Sequence, residues 1–124
     1  MSFLFLEAYL NLIVFHRYLA RDDFHGLHSR VRNCPIGCRT PPADAVPRIS
    51  SAINVASIWY WKEVLCLQRS AATTCLLRRH GVAARMVIGA QQLPFRSHAW
   101  VEVGGSVVND KPYTPELYVV LDRC

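Results

Sequence analysis

The hydrophobic pattern changes period at Gly81, and this change constrains the fold more than any other feature of the chain. Before it, apolar residues recur at helical spacing. Ile49, Ile53, Ala56 and Tyr60 form one face of a helix expected from Asp44, a good N-cap residue, to Trp59-Tyr60-Trp61. Pro47 falls in that helix's tolerated first turn. A further helix is expected from about Leu65 to His80. Arg78, Arg79 and His80 occupy its last turn, where the dipole favours cations, and Gly81 is a ready stop. After Gly81 the residues alternate. ARMVIG reads as a strand and is followed by a loop with Pro94. SHAWVEV, Gly104-Gly105 and SVVND read as a β-hairpin, and Tyr118 to Leu121 as a last short strand. Helices followed by antiparallel strands make an α+β pattern, with a small antiparallel sheet after N-terminal helices.

Upstream, residues 3 to 20 suit a helix that is apolar on most faces, and residues 24 to 33 a short polar one. NCPIGCRTPPAD, rich in Pro and Gly, is a breaker loop between an N-terminal helical part (1–33) and a mixed part (44–124). With 124 residues, the expectation is a single domain, 1–124. The N-terminal run MSFLFLEAYLNLIVF has no basic leading segment and carries Glu7 and Asn11, so it reads neither as a signal peptide nor as a membrane span. It is expected to be buried or to face a partner. Five cysteines without framework spacing point to a reducing compartment, and the protein is expected in the cytoplasm. The net charge is +5, but the basic residues are scattered and not interleaved with aromatics, which argues against nucleic acid.

The chemistry centres on KEVLCLQRSAATTCLLRRHG. Cys66 lies at the start of the expected helix, where the partial positive charge of the helix end assists a thiol nucleophile. Cys75 comes nine residues later. At roughly 100° per residue the two sulfurs point to opposite faces, so Cys75 is expected in the core. A thiolate nucleophile needs a base, and the base an orienting acceptor. His98, on a strand, with Asp110 on the returning strand, supplies that pair. A three-residue loop, Val103 to Gly105 with a bulge at Gly105, sets His98 opposite Asp110. A two-residue Gly104-Gly105 turn sets Ala99 there instead. The first register is expected, because it lets the carboxylate orient the imidazole.

Three other readings compete. His25, His28, Cys34 and Cys38 are all zinc-binding types at permissive spacing. The apolar first helix with Trp59, Tyr60 and Trp61 suits a non-catalytic interaction module, although Trp59 is expected to cap the core. Transglutamination uses the same three residue types. Arg69 and Ser70 follow the nucleophile without a catalytic role. Arg69 is expected in a surface or supporting pair, and Ser70 near the strands.

LCLQRSAATTCLLRRHGVAARMVIG, followed by PFRSHAWVEVGGSVVND, resembles the leader peptidases of lasso peptide biosynthesis, small cysteine peptidases of transglutaminase-like or papain-like fold. The likeness covers residues 44 to 124 well and the first helix more loosely. It implies a nucleophile at Cys66, a base at His98 and an orienting acid at Asp110. It implies hydrolysis of one peptide bond between the leader and core of a precursor peptide, without cofactor or metal. It further implies a separate leader-recognition protein, since no winged-helix domain precedes the peptidase part, and a lasso cyclase acting next. The Cys66 N–H is an expected oxyanion donor, with Tyr60, Trp61 or Gln68 as the second.

Overall fold

The computed structural model describes residues 3–92 and 95–124. Pro94, expected in the loop between two strands, lies outside them. The element order is α1 (Phe3–Ala20), α2 (Phe24–Asn33), α3 (Ala45–Trp59), α4 (Cys66–Arg79), β1 (Ala84–Gln91), β2 (Arg96–Val103), β3 (Ser106–Val107), α5 (Thr114–Leu117) and β4 (Val119–Arg123). The strands form one antiparallel sheet in the order β3-β2-β1-β4. The fold class is α+β, as the change of period at Gly81 indicates. Gly81 itself has φ +93°, a backbone conformation suited to glycine, and ends α4.

Helix α4 is the centre of the packing. Ala71, Ala72, Leu76 and Leu77 are fully buried and meet Leu12 and Phe15 of α1, Ile49 and Ile53 of α3, and Met86 and Val101 of the sheet. By length and composition α1 is long and apolar enough to cross a membrane. In the fold, its Glu7, Ala8, Leu12 and Phe15 are buried, while Phe3, Leu6 and Leu10 are exposed.

Two local expectations are corrected, and one short helix was not expected. SVVND is a strand only at Ser106–Val107, because residues 108–110 bend away from β2. The short helix α5, with Pro115 in its first turn, interrupts a stretch that carries no helical period long enough to read. Trp59, expected to cap the core, is 72% exposed on the outer side of α3, whereas Tyr60 turns inward.

Candidate functional site

Cys66 is the first residue of α4. Leu65 before it is extended and supplies no side-chain cap, so the first-turn N–H groups are left open at the thiol. The positive end of the helix is therefore available to negative charge forming at this point. Cys66 is a free, half-buried cysteine.

His98 and Asp110 are in contact: His98 Nε2 lies 2.5 Å from Asp110 Oδ2. The register expected to produce this contact is absent. Val103 pairs with Ser106, and Glu102 with Val107, across a two-residue turn at Gly104-Gly105. Both glycines have positive φ, +58° and +82°, which suits this tight hairpin turn. In that register Asp110 would miss His98, had the strand continued. It does not continue. The Val108 N–H still donates to Val101 O, but the Val101 N–H then donates to the side chain of Asn109, at 2.8 Å from Oδ1. Asn109 Nδ2 donates in turn to Ser70 Oγ on α4, at 3.1 Å. With Asn109 bridging strand and helix, the backbone is bent and the next side chain reaches His98.

The geometry defines the imidazole. With the Nε2–H donating to Asp110, Nδ1 is the nitrogen left to accept or give a proton. The ring stacks on Trp100, at 6.0 Å between centroids, and on Tyr118, at 5.3 Å. Gly89, paired with His98 across the sheet, makes room for this stack: a Cβ there would meet Trp100 Cη2 at 2.7 Å and Tyr118 Cβ at 2.8 Å. Burial pushes the Asp110 carboxyl up. The hydrogen bonds from His98 and the Lys111 N–H, with the charges of His98 and Arg69, outweigh burial and hold it below its ordinary value. Arg69 sits three residues after Cys66 on α4. The first turns of α4 and the His98 imidazole thus flank the same Asn109-Asp110 segment. No hydrogen bond joins Cys66 to His98 among the described residues.

Sequence reasoning missed Asn109 and the electrostatic reach of Arg69. SVVND alternates well enough to read as strand throughout, and only the bend reveals the Asn side chain as a substitute for backbone. Of the three possible second oxyanion donors, Gln68 is buried with its amide donating to Leu12 O at 2.8 Å. The Tyr60 hydroxyl is buried, and burial raises its pKa more than the neighbouring Trp61 and Gln68 side chains lower it. Trp61 alone of the three is exposed.

Cys75 is buried in α4 as expected, but it is not a free thiol: it is bonded to Cys34, with 5.7 Å between the Cα atoms. The spacing of the cysteines gave no sign of this, because the pair is made by α2 and α4 meeting in space. The same pairing separates the four possible zinc ligands. Cys34 is bonded to Cys75, His28 contacts Asp122, and His25 and Cys38 are exposed.

A 47-residue stretch of the chain is 49% identical to the Microcin J25-processing protein McjB of Escherichia coli. That stretch is 38% of this chain and spans only 23% of the relative's length. No solved structure matches the chain. The family model of the transglutaminase-like superfamily matches residues 9–123, from the first helix to the last strand, so this chain belongs to that superfamily.

Proposed function

We propose that the protein is a cysteine peptidase that cleaves the leader from a lasso peptide precursor. Cys66 attacks the scissile carbonyl, and its proton passes to Nδ1 of His98. His98 then protonates the leaving amine, and water, activated by the same imidazole, hydrolyses the acyl-enzyme. Asp110 fixes the tautomer and supports the imidazolium. The Cys66 N–H, at the open first turn of α4, is an oxyanion donor.

The observation that carries this reading is the His98–Asp110 contact beside the start of α4, where Cys66 stands. Membership of the transglutaminase-like superfamily supports a cysteine-centred acyl transfer. The identity to a relative named for processing a microcin supports a peptide precursor as substrate. The remaining gap between thiol and imidazole is closed in the substrate complex, since catalytic hydrogen bonds are commonly longer without substrate. The protein acts beside a separate leader-recognition protein and ahead of a lasso cyclase.

The test is mass spectrometry of a lasso precursor incubated with this protein and its recognition partner, with and without a thiol alkylator. Release of an intact leader and core, stopped by alkylation of Cys66, is expected. Unchanged cleavage after complete alkylation of Cys66 overturns the reading.

A further inference from the structure

A cationic pocket opens onto the Cys34–Cys75 disulfide, away from the site described above. Its cavity of about 290 Å³ is lined by Arg32, Cys34, Ile36, Arg78 and Arg85 together with Ala84. Among the described residues, no acidic side chain lines it. Arg78 is buried, and its guanidinium hydrogen-bonds backbone oxygens of Val31, Ala84 and Cys124 but pairs with no acidic side chain. Arg85 is exposed and makes no ion pair among the described residues. Arg32 Nη2 is 3.3 Å from His28 Nδ1, and Asp122, in contact with Nε2 of the same ring, also feels the Arg32 charge. Three guanidinium groups line this space against one nearby acidic side chain, Asp122, whose charge acts on Arg32. Cys34, one half of the disulfide, lines the same space.

We propose that this pocket binds an anionic low-molecular-weight thiol and directs it onto Cys34 to open the Cys34–Cys75 bond. Arg32 and Arg85 hold the carboxylates of the small molecule and favour its thiolate, the buried Arg78 adds its charge from behind, and Ile36 and Ala84 cover its stem. The thiolate attacks Sγ of Cys34, the disulfide residue that lines the pocket. A new S–S bond forms to Cys34, the old one breaks, and its electron pair leaves with Cys75, which takes up a proton and remains in the core as a thiol. Cys75 is only 7% exposed and presents no face for attack. One disulfide is exchanged for another, so no outside oxidant enters. The reverse attack by Cys75 on the mixed disulfide restores the bond and expels the small thiol. The bond joins the loop after α2 to the helix that begins at Cys66, closing a separation of 41 residues. Its exchange loosens that loop, which then stays tied through the Gly37 N–H to Arg78 O, at 2.7 Å. This inference does not rest on the peptidase reading.

The test uses the full chain purified without reductant, equilibrated with glutathione disulfide, and alkylated at its free cysteines. It is then exposed to mercaptosuccinate, 2-mercaptoethanol or cysteamine at equal thiolate concentration, and peptide mapping locates the adduct. Mercaptosuccinate is expected to open the bond at least tenfold faster than cysteamine, with the adduct on Cys34. The advantage should shrink in high salt and be lost in the Arg32→Ala/Arg85→Ala variant, while Arg48→Ala, which removes a charge outside the pocket, keeps it. Equal normalised rates for the three thiols, an adduct on Cys75, or free alkylation of both cysteines before any thiol is added would each overturn the proposal. If the double variant does not fold, the salt series on the unsubstituted protein decides.

Discussion

Asn109 stands in for a strand partner of Val101: its Oδ1 accepts the Val101 N–H at 2.8 Å while its Nδ2 reaches Ser70 on α4. This one side chain ends the β2–β3 ladder, fastens the sheet to the helix that begins at Cys66, and sets the bend from which Asp110 meets His98. Asn109→Ala leaves the buried Val101 N–H and the Ser70 hydroxyl without this partner, a loss of about 1–3 kcal/mol. The expected result is a lower melting temperature together with a fall in kcat for leader cleavage larger than the change in KM. Asn109→Asp keeps the acceptor and should retain more of the melting temperature than Asn109→Ala. Equal losses in the two variants would show that the Val101 bond does not matter.

The hairpin shows how far the sequence could be read. Alternation located β2 and β3, and Gly104-Gly105 located the turn, because both are local properties of the chain. The register differs from the expected one, because a two- and a three-residue loop are both compatible with Gly104-Gly105 and only the pairing of Val103 with Ser106 distinguishes them. The chain makes the two-residue turn and still brings Asp110 to His98 by bending at 108–110, which depends on Ser70, a residue far off in sequence. Helix α4 was legible to within a residue at each end, since Gly81 and the basic last turn are local signals. The Cys34–Cys75 bond and the outward turn of Trp59 were not. Each depends on which helix faces which, and periodicity does not report that.

The proposed roles separate the cysteines. Cys66→Ala and His98→Ala should each reduce leader cleavage to background without unfolding the domain, and Asp110→Ala should reduce it less. Cys75→Ala should retain cleavage while losing the bond to Cys34, which lowers stability by roughly 2–4 kcal/mol. Precursor mass spectrometry and thermal melts on the same four variants check this. Full cleavage by Cys66→Ala ends the assignment.

Gly89 is expected to be intolerant of a side chain although it touches no substrate. It faces the Trp100 ring and Tyr118 Cβ, and the rings of these two residues cluster with the His98 imidazole; an added Cβ would come within 2.7 Å of Trp100 Cη2. Backbone strain is not the cause, since the φ of Gly89 lies outside the left-handed region, although the β1–β4 register shifts beside it. Overpacking of this kind costs about 1–3 kcal/mol. Gly89→Ala should lower kcat by an order of magnitude or more through displacement of His98, whereas Ala90→Gly, one residue along, should not. Tryptophan fluorescence is expected to shift in the first variant only. Wild-type kcat with an unshifted spectrum would show that the stack does not position the base.

The acid limb of stability follows from Asp110. Burial raises its carboxyl, but His98, the Lys111 N–H and Arg69 together hold it below its ordinary value. A carboxylate whose folded pKa is depressed contributes stability that is fully present above the unfolded value, about 3.9, and is lost as pH falls through the folded value. The contribution should therefore be constant from neutrality down to roughly pH 5 and disappear below about pH 4. Asp110→Asn removes the titrating group but preserves an oxygen that can accept from His98. The difference in melting temperature between wild type and this variant should be flat from pH 7 to 5 and shrink towards zero as the pH falls below 4. Melting curves across the pH range on the same two proteins measure this effect. A stability difference that grows as the pH falls from 5 to 3 contradicts the assigned sign.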